Sequence, residues 1–244
     1  MTNGHGIDDE PHLRPPPCPP PCPAPCPAVG HGVNDEPLRA TVIAAGHGVG
    51  DEPGVSAPAG VTTYRDHLNA GLHRTSPTTT WLATLVAALA AGPWAILAAV
   101  FGTSADTQGV AMVVVGPLCE EVAKVAVVFL IVERWPWLFR WRVQVLLAAI
   151  CGGLVFSVIE NLLYLHVYIP DPEPWMVHWR WTVCVALHSG CSLIAGLGMT
   201  RVWSTCWRDQ QPPDGNHAIP FIAAAALIHG TYNFLALTGE IATR

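Results

Sequence analysis

Ionisable side chains recur in four apolar stretches of this chain, where such side chains are rare. The stretch GPLCEEVAKV contains Glu120, Glu121 and Lys124, and Lys124 is the only lysine in the sequence. The stretch FSVIENLLY contains Glu160 and Asn161. An ionisable group in the middle of an apolar helix costs about 3 kcal/mol even on lenient insertion scales. Each of these residues therefore needs a physical reason, and chemistry is one.

Two histidine motifs complete the set. The stretch ALHSGCSLIAG contains His188 and Ser192, and the stretch LIHGTYNF contains His229 and Asn233. Within each motif the two polar residues are four positions apart, which places both side chains on one face of an α-helix. The same spacing separates the first glutamate of GPLCEEVAKV from its lysine. The sequence therefore predicts polar faces on four helices.

Peptide hydrolysis is a reaction that these residue types suit. It requires a water nucleophile, a group that removes its proton, and a group that stabilises the tetrahedral oxyanion. A carboxylate in a low-dielectric site resists ionisation, which suits it to exchange a proton near neutral pH. We predict that Glu120 or Glu121 is the base, with the other carboxylate and Lys124 setting its charge.

The histidines have two possible roles in such a site. His188 and His229, with Glu160, form a possible ligand shell for a divalent metal such as zinc. Alternatively, the imidazoles donate hydrogen bonds to the oxyanion with help from Asn233. Metal-activated water and purely glutamate-driven water use the same residue types, so the sequence leaves both mechanisms open.

The elements that must position these residues are apolar segments of about 20 residues, the length at which an α-helix crosses roughly 30 Å of hydrocarbon. A mean hydropathy of +0.36 and a charged fraction of only 12% are typical of a membrane protein. Tryptophan-rich connectors between the segments resemble interfacial belts. We predict an all-α fold, a polytopic membrane bundle of about five transmembrane helices, at about 80–101, 109–132, 143–168, 180–203 and 218–238.

The arginine distribution predicts the orientation of this bundle. Arginines gather before the first segment and in the second-to-third and fourth-to-fifth connectors, so we expect a cytoplasmic N-terminus and an external C-terminus. Counted from the external ends, Glu120, Glu160, His188 and His229 all lie roughly 12 to 17 Å deep at 1.5 Å per residue. We therefore expect the four polar faces to meet in one layer, and the first segment, which has no ionisable residue, to be an anchor.

The N-terminal third differs from the rest. Residues 1–78 contain the proline run Pro15 to Pro27, repeated acidic clusters and almost no apolar runs. We predict a disordered cytoplasmic tail over 1–78 and a membrane domain over 79–244. The tail repeats a unit that reads GHGIDDEP, GHGVNDEP and GHGVGDEP, with histidines at His5, His31 and His47. Repeat expansion in a solvated tail explains this unit better than a metal or partner tag.

The sequence favours neither a nucleic-acid partner nor a secretory signal. The chain has 12 basic residues without a patch interleaved with aromatic residues, so we expect no nucleic-acid partner. The first residues lack a basic stretch followed by an apolar core, so no secretory signal is predicted and insertion begins at an internal helix.

The four motifs together resemble those of the PrsW family of intramembrane proteases, which is grouped with CAAX prenyl endopeptidases and bacteriocin-processing proteins. The matching motifs are EExxK at Glu120 to Lys124, FxxxEN at Phe156 to Asn161, the helix with His188 and Ser192, and HxxxN at His229 to Asn233.

The resemblance implies a polytopic helical enzyme of a bacterial cell membrane that cuts membrane-anchored protein substrates. The namesake of the family cuts an anti-sigma factor near the outer membrane face. The resemblance also implies catalytic roles for Glu120 and Glu121, with Glu160, His188 and His229 around the water or the metal. Many relatives have more membrane spans, so five spans with a long N-terminal extension is a departure that affects substrate choice.

Two other functions use the same side chains. A proton-coupled transporter or channel would use the carboxylates and histidines as a proton relay. An inactive relative of the proteases would only bind partner helices. Five spans without inverted repeats or broken helix pairs make the transporter the weaker of these hypotheses.

Overall fold

The computed structural model describes residues 63–103 and 109–242, and in these ranges every regular element is a helix. The GHG repeats, with His5, His31 and His47, lie outside the described residues. The prediction of an all-α fold is confirmed for the part of the chain that is described. The longer helices are α1 Tyr64–Arg74, α2 Pro77–Thr103, α3 Gly116–Arg134, α4 Arg142–Leu163, α6 Val185–Asp209 and α7 Ile219–Ala242, and α5 is the short helix Pro174–Trp179.

Four helical stretches are long and apolar enough to cross a membrane: Pro77–Phe101, Arg142–Tyr168, Pro174–Asp209 and Gly215–Gly239. They confirm an integral, multi-pass membrane protein and correspond to four of the five predicted spans. The remaining predicted span, 109–132, contains most of α3, which differs from the others because it carries three charged residues, Glu120, Glu121 and Lys124, in its second and third turns. The count of five spans therefore stays a prediction.

Small residues allow α2 and α4 to approach closely. Ala87, Ala91 and Ala95 are fully buried and lie four positions apart along one face of α2. Gly152 of α4 packs against Ala91, and a side chain at Gly152 would collide with it. In lipid the hydrophobic effect does not drive helices together, so close packing of small residues supplies the contact energy. The predicted anchor helix is thus packed against a helix that carries site residues.

Three π-helical segments lie beside the residues with candidate chemistry. Ala111–Val115 precedes α3, Tyr164–Tyr168 follows α4, and Arg180–Cys184 precedes α6. Single π-helical turns are rare in proteins, and those that occur often lie at functional sites. The extra residue in the turn changes the direction of the side chains that follow it. Polar residues of the four motifs lie within a few positions of each π-helical segment. The start of α3, the end of α4 and the start of α6 meet at one end of the bundle.

Gly230 permits the contact that brings α7 to the start of α3. A Cβ atom at Gly230 would collide with the carbonyl oxygen of Val113, in the first π-helical segment. The lack of a side chain lets the two backbones touch immediately beside His229. Here glycine is required for close approach rather than for an unusual backbone angle.

The first helix, α1, corrects part of the tail prediction. Residues 63–78 were assigned to the disordered tail, but Tyr64–Arg74 is helical and has a capping box in which Thr63 and Asp66 bond each other's backbone N–H groups. The hydroxyl and backbone of Thr63 hold the pKa of the Asp66 carboxyl below its ordinary value. Gly71 lies against the ring of Trp137, so tertiary packing stabilises a helix whose own sequence is mostly polar.

We expect Gly230→Ala to destabilise the protein by about 1–3 kcal/mol, because the new methyl group must displace the backbone of Val113. Gly190→Ala on α6 is the matched control, since no atom lies within 4 Å of a Cβ built there. Alanine in a helix is favoured over glycine by roughly 0.5–1 kcal/mol, so the control should be neutral or stabilised. Thermal unfolding in one detergent measures both variants, and equal midpoints would contradict the proposed close contact.

Candidate functional site

A fully buried ion pair forms the centre of the site. Nζ of Lys124 lies 2.7 Å from Oε1 of Glu121, and both side chains are inaccessible to solvent. The two residues are three positions apart on α3, so they meet on one face of the helix. The ammonium also lies 4.1 Å from the centre of the Phe156 ring, on α4, in a cation–π contact. The only lysine of the chain is therefore a structural centre of the site rather than a surface residue.

His229 of α7 joins this pair through Glu121. Its Nδ1 lies 2.9 Å from Oε1 of Glu121, the same oxygen that accepts from Lys124. An ionised carboxylate only accepts hydrogen bonds, so Nδ1 of His229 carries the proton. The remaining ring nitrogen, Nε2, then carries a lone pair that is able to bind a metal or accept a proton.

His188 of α6 has a carboxylate partner of its own. Its Nε2 lies 3.0 Å from Oε2 of Glu160, on α4, and its Nδ1 lies 3.0 Å from Nζ of Lys124. By the same reasoning Nε2 donates to Glu160, and the lone pair of Nδ1 accepts from the ammonium. The rings of His188 and His229 contact each other edge to face, with centroids 4.8 Å apart. Four helices thus converge on one connected group of side chains.

Glu120 is the carboxylate with the fewest partners in this group. Its Oε2 is buried and accepts no hydrogen bond from the described residues, and the same is true of Oε2 of Glu121. Nζ of Lys124 and Nδ1 of His229 lie 3.7 and 3.8 Å from Oε2 of Glu120, too far for hydrogen bonds. Buried carboxylate oxygens without donors are costly, so these two oxygens are open to a proton, a water or a cation.

Among the described residues, Glu120, His188 and His229 form a group that could hold a metal ion. One ligand atom from each lies within 4.8 Å of the others, and all three residues are buried. One carboxylate with two imidazoles is a donor set of catalytic zinc sites. The buried free oxygen of Glu120 fits that role, because a cation would satisfy it. A metal at Nδ1 of His188 would require Lys124 to withdraw from that nitrogen while it keeps its bond to Glu121.

This set differs from the predicted ligands Glu160, His188 and His229. The two histidines are retained, but Glu120 replaces Glu160 as the carboxylate grouped with both imidazoles. Glu160 instead bonds the ring nitrogen Nε2 of His188. In metal sites a carboxylate at the second nitrogen of a ligand histidine fixes its tautomer and orientation.

The formal charge of the site favours a cation. Glu120, Glu121 and Glu160 are opposed by only two cations, Lys124 and Arg180, which leaves one formal negative charge when the imidazoles are neutral. In a low-dielectric interior an unbalanced charge is strongly disfavoured. A bound metal ion or an added proton would offset it.

The remaining predicted polar residues lie beside the cluster. The amide of Asn233 donates to the carbonyl oxygen of Met112 (3.0 Å), in the first π-helical segment, rather than to a cluster residue. Asn161 donates to the carbonyl of Arg180 (2.9 Å) and accepts from its guanidinium (3.1 Å). Oγ of Ser192 is buried and has no partner among the described residues. Both asparagines thus hold π-helical segments in place.

Sequence reasoning missed Arg180 as a member of the site. Its guanidinium lies 2.9 Å from Oε2 of Glu160, and both side chains are mostly buried. In the sequence Arg180 lies at the edge of the predicted span 180–203 and belongs to none of the four motifs. Neither motif nor helical spacing connects it to Glu160, because the two residues are on different helical stretches.

Comparison with known proteins gave one family. A family model described as PrsW family intramembrane metalloprotease matches residues 75–243, which include every residue of the cluster. Searches of the curated proteins and of the solved structures gave no significant match.

Burial of the unique lysine gives a direct chemical test of the site. In the folded protein we expect an amine-reactive ester to acylate Lys124 at least about 100-fold more slowly than in the denatured chain, since reaction requires an opening of the buried cluster. Peptide mass spectrometry of timed samples measures the modification at this one position. Fast acylation in the folded state would show that the ammonium is exposed and that the cluster is not packed as described.

Proposed function

Because the chain belongs to the PrsW family of intramembrane metalloproteases, we propose that it hydrolyses peptide bonds of membrane-anchored proteins at the cluster centred on Glu121 and Lys124. The observation that carries the proposal is the direct bonding of residues from four helices. Glu121 and Lys124 on α3, Glu160 on α4, His188 on α6 and His229 on α7 form one network of contacts between 2.7 and 3.0 Å.

We propose that Glu121 is the general base. Its Oε1 is held by both Lys124 and His229, so the carboxylate has a defined orientation, while its Oε2 has no donor. Oε2 would remove a proton from the attacking water as the water oxygen bonds to the substrate carbonyl carbon. The same oxygen would deliver that proton to the leaving nitrogen when the carbon–nitrogen bond breaks. The products are a carboxylic acid and an amine, and the proton then passes from the acid to the amine or to solvent.

Lys124 is the residue best suited to stabilise the oxyanion. It carries a full positive charge in a dry environment, where electrostatic stabilisation is strongest. An ammonium has three N–H donors, of which one bonds Glu121 and a second bonds Nδ1 of His188 while that nitrogen holds no metal. The third N–H is then available to the carbonyl oxygen of a substrate. This role was not among the sequence predictions, in which the lysine only set the charge of the base.

Glu120, His188 and His229 would hold the divalent metal that the family description implies. When bound, such an ion polarises the substrate carbonyl and lowers the cost of ionising water. Glu160 would keep the proton on Nε2 of His188, and Glu121 would keep the proton on Nδ1 of His229. The other ring nitrogens, Nδ1 of His188 and Nε2 of His229, would then carry lone pairs able to bind the metal.

The substrate we propose is a single-span protein cut near the outer face of the membrane, of the anti-sigma-factor type. The arginine distribution supports this orientation, because it leaves the end of the bundle with Glu160 and His188 on the external side. Such a substrate would approach through lipid. The proposal of a proton-coupled transporter lacks a comparable supporting observation.

Glu121→Gln should lower kcat for a purified single-span substrate by about 10²–10⁴-fold, because the amide keeps the shape of the side chain but accepts no proton. Glu133→Gln is the matched control, since it makes the same change on the same helix at an exposed position. Cleavage is measured in proteoliposomes by gel and by mass spectrometry of the products. Equal rates for the two variants would reject Glu121 as the base, and intact substrate with the unmodified protein would reject proteolysis.

A divalent ion should copurify with the unmodified protein and should be lost from Glu120→Gln and His229→Ala. A chelator should abolish cleavage, and zinc should restore it, because the proposed ligands would bind the ion that the reaction needs. Elemental analysis of the detergent-solubilised protein measures the metal content, with Glu133→Gln again as the control. Full cleavage in chelator would favour the glutamate-only mechanism.

A further inference from the structure

Arg180 is a charged residue of the site that the proposed mechanism does not use. It begins the π-helical segment Arg180–Cys184, directly before α6. One guanidinium nitrogen donates to Oε2 of Glu160 at 2.9 Å, and Nε donates to Oδ1 of Asn161 at 3.1 Å. The guanidinium also lies over the ring of Tyr164, 3.8 Å from its centre. Three groups on α4 and the π-helical segment after it therefore determine where this one side chain lies.

The oxygen that Arg180 binds is the oxygen that binds His188. Oε2 of Glu160 accepts from Arg180 at 2.9 Å and from Nε2 of His188 at 3.0 Å. The guanidinium thus holds the carboxylate from one side while the imidazole bonds to it from the other. The exposed fractions of the two side chains are only 13% for Arg180 and 18% for Glu160, so water competes weakly for these bonds.

Asn161 couples the backbone of this segment to the same arrangement. Its amide nitrogen donates to the carbonyl oxygen of Arg180 at 2.9 Å, while its amide oxygen accepts from the guanidinium. The adjacent residues Glu160 and Asn161 are thus both bonded to one arginine. A planar guanidinium has a rigid fork of donors that is able to serve both acceptors, whereas a lysine ammonium is a single point charge on a flexible chain.

We propose that Arg180 is a positioning residue that holds Glu160 against Nε2 of His188 and thereby keeps the lone pair of Nδ1 directed into the cluster. The inference rests on the proposed function for its effect on catalysis, but its structural content concerns only the imidazole. Without Arg180, Glu160 would lose its second partner and would be free to rotate away from the ring. The His188 ring would then lose its bond at Nε2 and would be free to rotate, so the lone pair of Nδ1 would point into the cluster only part of the time.

The experiment uses the full chain in proteoliposomes and four variants: Arg180→Ala, Arg180→Lys, Glu160→Gln and the double variant. The first measurement is nitrogen NMR of histidine-labelled protein without added metal or substrate, with the His188 signals assigned from His188→Gln. The second is the separate determination of kcat and KM for a single-span substrate. Arg140→Ala is the control, because Arg140 is also half-buried and its guanidinium donates to a carbonyl, that of Thr75, outside the cluster.

In the unmodified protein we expect His188 to show a protonated, hydrogen-bonded Nε2 and an unprotonated Nδ1. Arg180→Ala should weaken the hydrogen-bonded signature of Nε2 and lower kcat by about 10–100-fold with little change in KM, the range found when partners of metal-binding histidines are removed. Arg180→Lys should recover only part of the loss. In the Glu160→Gln background, Arg180→Ala should have no further effect, because its action passes through that carboxylate.

Two results at Arg180 itself would overturn the inference, and a third would come from the control. One is an unchanged His188 signature in Arg180→Ala, and the other is an equal loss from Arg180→Ala with and without Glu160→Gln. If the unmodified protein leaves the substrate intact but Arg180→Ala still alters the His188 signature, the positioning role stands and the proposed function fails. If the Arg140→Ala control alters that signature to the same extent, the effect is general destabilisation and the positioning role is rejected.

Discussion

The buried pair of Glu121 and Lys124 is the interaction on which the rest of the site depends. Removing two charges from water costs several kcal/mol for each ion, and their mutual attraction offsets this only with good geometry and further hydrogen bonds. The pair meets both conditions through its 2.7 Å contact and the bonds that His229 and His188 add to it. Helices that carry these histidines must therefore pack against α3, since either charge left alone would be strongly destabilising.

The pairing of each imidazole with a carboxylate follows from the same constraint. Glu121 bonds Nδ1 of His229 and Glu160 bonds Nε2 of His188, so the two rings use opposite nitrogens for their structural bonds. Glu120, whose Oε2 accepts no hydrogen bond from the described residues, has an oxygen within 4.8 Å of a ring nitrogen of each histidine. In the proposed function, Glu121 and Glu160 would orient the rings, and Glu120 would be the carboxylate that binds the cation.

The scaffold supports this separation with backbone irregularities close to the site. π-Helical segments precede α3 and α6 and follow α4, and Asn233 and Asn161 donate hydrogen bonds to carbonyl groups of two of them. Gly230 lets the first segment touch α7 beside His229. Asn233, one of the predicted catalytic residues, thus bonds the backbone beside the cluster rather than a cluster side chain.

The amino-acid sequence by itself determined the helical membrane architecture, four of the spans and the family, because apolar length and motif spacing are local properties of the chain. It also identified the polar residues, since a charge in an apolar helix is conspicuous without any knowledge of neighbours. Tertiary structure alone decided the partner of each group. Glu120 lies near both histidines while Glu160 bonds only His188, Arg180 binds Glu160, and Asn233 bonds a backbone carbonyl, because rotation and register between helices set these contacts. Rotation and register depend on close packing between segments that are distant in the sequence. The same kind of packing, between α1 and Trp137, stabilises a helix within the range of the predicted tail.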